Sequence, residues 1–348
     1  MKIMVIGYDY FHYCQSLVHA YEALGHEVQR LSVQDFQNVE KKHWKIRLVK
    51  LGLRSLEKKY ERQQEQTFIQ KVDAFKPDVC ILLNGNCLQT SFLLAVKKRQ
   101  IKLILFMIDS LQECGFKKFL SRITYYDKIF SYESTDKDQL NAKNIEYLPI
   151  GYDETMFYPM SGNETKDIDI SFVGVLDKKR LNFLEKIAEY ASKANKKFVI
   201  HTKTYKEKHL WHKIKNQYKE NKFKLKYPFL SKIIIPQSVY NEDLADIYRR
   251  SKICLNIYRD TGHHTDVNPR TFEIMACESF QLLDCGHLKN VKIESGKHVL
   301  EFDDLQDLCE KIDYYLNHDQ ERVSIANAGC LLVQEKYKML HTAKQILS

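Results

Sequence analysis

The stretch Asn268-Pro-Arg-Thr-Phe-Glu273-Ile-Met-Ala-Cys-Glu278-Ser-Phe-Gln-Leu-Leu-Asp284 reads as one short helix followed by one buried strand. Pro269 suits a first helical turn, because its ring presets φ and the N–H it lacks would have no partner there. Arg270 and Glu273 stand three apart and so share one helical face near the N-terminus. A helix N-terminus gathers unpaired N–H groups and the positive end of the dipole, so it attracts phosphate. Arginine adds charge-assisted donors to phosphate oxygens, and a carboxylate one turn on can accept two ribose hydroxyls. The same pair also reads as an ordinary ion pair on a surface helix. Phe280–Leu283 is apolar but for Gln281, which fits a strand covered on both sides.

The alternation continues in both directions. Upstream, strands are expected at Ile168–Val173, Phe198–His201, Lys232–Ile235 and Ile253–Ile257, and downstream at Val299–Phe302. Helices are expected near 178–194, 241–251 and 269–277. The first half repeats the pattern with strands at Ile3–Ile6, Val28–Val33, Val79–Leu83, Leu103–Ile108, Lys128–Ser131 and Tyr147–Leu148, and a helix over 12–24 that stops at Gly25. Doubly apolar strands joined by helices predict a parallel, doubly wound α/β sheet. The pattern restarts after residues 151–166, and 348 residues suffice for two cores. We therefore expect two Rossmann-like domains facing a cleft, at 1–155 and 165–330, with a C-terminal helix over 331–348 packing back toward the first. In such folds ligands sit at the carboxyl ends of strands.

Composition narrows the class. Hydrophobic residues at 44% and charged residues at 28% exclude a disordered or fibrous chain. No apolar run approaches the roughly 18 residues of a membrane helix. The start, MKIMVIGYDY, reads as a first strand and not a signal peptide. Nine scattered cysteines without a CxxC pair fit a reduced, cytoplasmic protein. The net charge of +9 is concentrated: residues 41–62 and 203–226 each hold nine Lys/Arg against two Glu. These segments suit peripheral contact with an anionic membrane or nucleic acid, or are solvated helix faces. Trp44, Leu48, Leu51 and Leu56 give the first an apolar side that also suits packing on its own domain.

Other strand exits carry candidate chemistry. Gly174 opens a loop into a helix beginning Lys178-Lys179-Arg180, where backbone N–H groups and Arg180 can reach a diphosphate, or where a helix simply starts with surface lysines. Leu103–Asp109 is an apolar strand ending in one carboxylate, placed to act as a general base or as the N-cap of the next segment. Gly7 follows the first strand, and Asn84-Gly-Asn86 the third. His12 is a second possible base or an ordinary helix residue. Asp167-Ile-Asp169 precedes a strand and reads as a strand edge instead of a metal motif. His263-His264 with Asp266, and Cys285-Gly-His287, lack four ligands at familiar spacing, so no metal site is expected.

Several of these motifs together resemble the CgeB-like (spore-maturation) family of GT-B glycosyltransferases. That family carries an Arg-x-Phe-Glu run, then Ala-Cys-Gly and an apolar strand, matched here by Arg270–Glu273 and Ala276-Cys277. Asp169–Gly174 with Arg180 resembles its first donor-domain strand and phosphate loop. Leu148–Asp153 with Phe157 and Pro159 resembles its interdomain connection, and His298–Tyr315 with Glu321–Gly329 its closing helices. The likeness covers about residues 145–345 well and the first half only loosely.

The resemblance implies a GT-B fold and transfer of a sugar from a nucleotide-diphosphate sugar, most simply a UDP-sugar, to a hydroxyl of a polysaccharide, lipid-linked, protein or other acceptor. It implies no required cofactor beyond the donor itself. Gly174, Arg180, Arg270 and Glu273 would hold the donor, and Val239, after Pro236-Gln-Ser, the nucleobase. Gly7 and Asn84 would line the acceptor side, and Asp109 would be the base of an inverting reaction. The DNA beta-glucosyltransferases of T-even phages are similar in carrying a base at the Asp109 position and an acidic residue at that of Glu278, so DNA glucosylation is an alternative. Two departures, Glu278 for the family glycine and Thr265 where retaining enzymes of the family 4 type carry an acid, leave a non-catalytic GT-B-like coat or scaffold protein as a further alternative. Glycine at position 278 is expected to let backbone approach the donor.

Overall fold

The computed structural model describes residues 1–32, 54–85, 88–111, 120–140, 144–160, 165–203, 220–259 and 265–348. Most of the basic segment 41–62, most of 203–226, Asn86 and His263-His264 lie outside the described residues. The chain divides into two compact units, Met1–Gly151 with Met339–Ser348, and Tyr152–Lys338. The chain thus passes to the second unit after Gly151 and returns at Met339. Residues 331–338 stay in the second unit, because the helix Asp319–Lys336 runs unbroken to its end.

The first unit holds β1 (Lys2–Gly7), β2 (Glu27–Ser32), β3 (Val79–Leu83), β4 (Lys102–Met107), β5 (Lys128–Ser131) and β6 (Ile145–Tyr147). They form a parallel sheet in the order β2-β1-β3-β4-β5-β6. Successive side chains of a strand point to opposite faces, and here both faces are buried. Met4, Ile6, Cys80, Leu82, Leu103 and Leu105 meet the helices Arg54–Phe75 and Thr90–Lys98 through Phe68, Val72, Phe92 and Val96. Ile3, Val5, Val79, Ile81, Ile104 and Phe106 meet the helix Tyr13–Ala23 and the C-terminal helix Met339–Leu347 through Leu17, Tyr21, Ala343 and Ile346. Thr342 Oγ1 accepts the Gly151 N–H at 3.1 Å, fixing that last helix to the end of its own unit.

The second unit repeats the plan with β7 (Ile168–Val173), β8 (Phe198–His201), β9 (Ile234–Ile235), β10 (Ser251–Asn256), β11 (Phe280–Asp284) and β12 (Leu300–Phe302). The order is β12-β11-β10-β7-β8-β9, again all parallel. Lys232 is helical rather than extended, because the turn Leu230–Ile233 buries Leu230 before β9 begins. One face packs on helices Lys178–Lys193 and Leu305–Asn317, the other on Asn241–Arg250, Pro269–Ala276 and Asp319–Lys336. No helix of the described residues is long and apolar enough to cross a membrane.

Strand order positions the chemistry. In the first sheet the chain winds from β1 out to β2 and then crosses to β3 on the other side of β1. In the second it winds from β7 through β8 and β9 and then crosses to β10. At such switch points the adjoining loops leave in opposite directions and open a crevice beyond the strand ends. Gly7 and Asn84 leave one switch point; Gly174 and Ile257 leave the other.

Candidate active site

At the second switch point β7 ends just before Gly174. A methyl group on Gly174 would lie 3.2 Å from Phe172 Cζ and 3.3 Å from Arg270 Nη2, so the missing side chain makes room for the Arg270 guanidinium. Arg180 sits in the first turn of Lys178–Lys193, whose N-cap Asp177 accepts the Arg180 N–H at 2.8 Å. The Arg180 side chain turns back under the loop. Its Nε and Nη2 donate to the Ile257 carbonyl at 2.9 and 2.7 Å, and Nη1 to the Val175 carbonyl at 2.6 Å. Burial, with the nearby Arg270 charge, pushes this guanidinium down to about 9. The neighbouring Lys179 differs: its Nζ is neutralised by Asp284 at 2.9 Å.

The helix Pro269–Ala276 starts where its sequence says it should. Asn268 Oδ1 accepts the Thr271 N–H at 3.1 Å and caps the first turn. The Asn268 N–H donates to the Tyr258 hydroxyl at 2.6 Å, and that hydroxyl donates to the Asp266 carbonyl at 3.2 Å. The amides of Asn256 and Asn268 pair reciprocally at 3.1 and 3.0 Å. Arg270 Nη1 makes a long contact of 3.5 Å with Asn256 Oδ1.

Glu273, one turn into this helix, is only 8% exposed. Its carboxylate makes no hydrogen bond or ion pair among the described residues, and it is not the surface partner of Arg270 that the spacing also allowed. Burial raises its carboxyl to about 7 against the opposing pull of Arg270. Both charges also reach the fully buried hydroxyl of Tyr248, which burial pushes well above its ordinary value. Gly174, Arg180, Arg270 and Glu273 are therefore brought together. Val239 lies half-buried in the loop after β9, two strands away from β7.

Glu278 corrects the expectation attached to it. It occupies the position just past the C-terminus of the helix, with φ +50°. Its N–H donates to the Met275 carbonyl at 3.0 Å, and the Ser279 N–H to the Ile274 carbonyl at 3.3 Å. A glycine at such a position relieves left-handed backbone strain; it is not needed for backbone to approach a ligand at the other end of the helix. The Glu278 carboxylate lies instead with Lys166, Lys252 and Arg322 in a cavity of about 210 Å³ beside the amino ends of β7, β10 and β11.

In the first unit, a methyl on Gly7 would meet Leu83 Cβ at 3.0 Å, so this glycine lets β1 and β3 lie close at their exits. Asn84 is buried with φ +58°. Its Nδ2 donates to Asp109 Oδ2 at 2.6 Å, and its Oδ1 accepts the N–H groups of Ile108 at 2.8 Å and Asp109 at 3.1 Å. Asn84, Gly7 and Asp109 thus share one edge. His12 precedes the helix Tyr13–Ala23 with φ +62°.

The sequence signals set aside behave as structural groups. Asp167 pairs with Arg250 and Lys197, and Asp169 with Lys252, at the start of β7. His287 stacks on Tyr258 with ring centroids 3.6 Å apart. Among the described residues no group of three His, Cys, Asp or Glu converges on a point that could hold a metal ion. Sequence reading missed Asn256 and Asn268. The Asn before Pro269 was a legible cap signal; the pairing of Asn256 to it depends on contacts made only after folding.

The comparisons agree with this fold. Residues 179–348 match the family described as glycosyl transferase-like. The spore protein CgeB of Bacillus subtilis (strain 168) is 22% identical over 278 residues, covering 76% of this chain and 80% of the relative. Among solved structures, HepE of Anabaena in complex with UDP and glucose superposes with TM-score 0.65 at 11% identity, covering 100% of this chain and 98% of the other. Sucrose-phosphate synthase of Thermosynechococcus elongatus gives TM-score 0.65 at 11% identity over 99% and 97% of the two chains. The two six-stranded parallel sheets are those of the GT-B class, and the protein is a glycosyltransferase. Within that class its sequence is similar to that of CgeB.

Proposed function

We propose that this protein transfers a sugar from a UDP-sugar to a hydroxyl acceptor with inversion at the anomeric carbon. The observation that carries the reading is the pair of guanidinium groups, Arg180 and Arg270, gathered beside Gly174 with the unpartnered Glu273 carboxylate one turn further on. Two adjacent cations with no carboxylate paired to them suit a diphosphate, and a buried carboxyl beside them, acceptor-only once ionised, suits the ribose diol. The HepE complex with UDP and glucose supports the choice of uracil as base. In this reading 165–330 is the donor-binding domain, with Val239 at the nucleobase, and 1–155 the acceptor side.

Asp109 takes the proton of the acceptor hydroxyl as its oxygen bonds to the anomeric carbon. The bond from that carbon to the diphosphate oxygen breaks with its electron pair, and UDP leaves. Arg180 and Arg270 meet the charge that develops on the leaving oxygen. Gly7 and Asn84 line the acceptor side, Asn84 by holding Asp109.

Thermal unfolding with UDP, GDP, TDP and their sugars tests the proposal. A ligand at about 100 times its dissociation constant adds about 2.7 kcal/mol of stability. UDP and one UDP-sugar are expected to raise Tm, and Arg270→Ala to abolish the rise. Indifference of the wild type to every nucleotide would overturn the reading.

A further inference from the structure

The second unit treats its arginines in two ways. Arg249 pairs with Glu242, Arg250 with Asp167 and Asp246, and Arg322 with Asp319. Arg180 and Arg270 have no carboxylate within 4.0 Å among the described residues, although Asp284 lies close enough to neutralise the adjoining Lys179. Among the described residues the groups that meet these two guanidinium groups are neutral: the carbonyls of Ile257 and Val175 for Arg180, and the Asn256 amide and Tyr248 hydroxyl for Arg270.

Asn256 is central to that arrangement. It is the last residue of β10 and is fully buried. Its Nδ2 donates to Asn268 Oδ1 and to Thr271 Oγ1, both at 3.1 Å, and its Oδ1 accepts from Asn268 Nδ2 at 3.0 Å. One amide therefore ties the strand exit to the cap of the helix Pro269–Ala276 and also reaches Arg270. The contact to Arg270 is long, so the guanidinium is steered toward Gly174 without being claimed. A carboxylate in place of this amide would have nearly the same shape. It would draw Arg270 into a charge-assisted pair and cancel the charge at the site.

We infer that Asn256 is a positioning residue whose neutrality is the functional requirement: it orders the helix N-terminus and aims Arg270 while leaving the arginine charge for a diphosphate. The inference rests on the donor reading above and deepens it.

Asn256→Asp and Asn256→Ala test it, with calorimetric titration of UDP and of uridine and with thermal unfolding. Asn256→Asp is expected to lower the unfolding temperature, because its oxygens cannot donate to Asn268 Oδ1 and Thr271 Oγ1, to bind uridine as the wild type does, and to bind UDP about tenfold or more weakly. Its UDP affinity is also expected to depend less steeply on salt, since one cation is already neutralised. Asn256→Ala is expected to lower the unfolding temperature and the UDP affinity together, because the cap loses its support. Wild-type UDP affinity in Asn256→Asp, or equal losses for UDP and uridine, would overturn the inference while leaving the donor reading intact. Failure of the wild type to bind UDP would overturn both.

Discussion

The Asn84 amide reaches Asp109 from both ends: Nδ2 donates to the carboxylate at 2.6 Å while Oδ1 accepts the Asp109 N–H at 3.1 Å. One side chain on the exit of β3 thereby sets both the backbone and the carboxylate at the exit of β4. Asn84 performs this from a left-handed backbone conformation, which asparagine tolerates better than most residues.

If Asp109 is the base, Asp109→Asn should lose about 10²–10⁴-fold in turnover and keep nucleotide affinity. Asn84→Asp sets a second carboxylate against the first, and two such groups at this distance resist ionising together. The acid limb of its rate profile should move to higher pH. Full turnover in the Asp109 variant, or an unmoved limb in the Asn84 variant, argues against the assignment.

Glu273 should make the free protein less stable as pH rises. Its carboxyl is raised from 4.5 to about 7 in the folded chain. Between those values the native state binds the extra proton, so stability falls with rising pH, and the full cost is present above pH 7. That cost is roughly 3 kcal/mol at most. Glu273→Gln should therefore raise the denaturation midpoint at pH 8 and change it little at pH 4. Equal effects at both pH values would contradict a buried, titrating carboxyl.

The same group gives nucleotide binding an opposite pH dependence. Ribose hydroxyls donate to the ionised carboxylate, so bound UDP should favour ionisation. Affinity should climb as pH passes upward through about 7 and level off above it, with a proton released on binding near neutrality. Calorimetry in two buffers of different ionisation enthalpy reads that proton directly. Affinity that is flat from pH 5 to 8 would remove Glu273 from the ribose.

Glu278→Gly should relieve about 1 kcal/mol of left-handed backbone strain, offset in part by loss of the carboxylate that shares a cavity with Lys166, Lys252 and Arg322, so stability should change little. UDP affinity should stay unchanged, because this cap is at the far end of the helix from Arg270. Chemical denaturation and titration of the same variant separate the two effects. A gain in UDP affinity would restore the idea that the glycine serves the donor.

Much of the architecture was legible in the residue pattern. Runs such as Ile3–Ile6, Val79–Leu83 and Leu103–Met107 are apolar at every position because helices cover both faces of their sheet. Such runs leave few alternatives to a central parallel strand. Boundaries were less legible where a neighbour decides them. Lys232 belongs to a turn that Leu230 buries, and only residues from Met339 onward return to the first unit.

By itself the sequence determined two doubly wound sheets and where each would expose its strand exits, because burial on both faces forces long-range order onto local composition. It also determined a capped helix carrying Arg270 and Glu273 one turn apart. Only the tertiary structure decided that Arg180 meets Arg270, that Glu273 is buried without a partner, and that neutral carbonyls and the Asn256 amide hold the arginine charges. The reason is physical: a backbone carbonyl is the same in every residue, so what it will hold is written nowhere in the chain until the strands align.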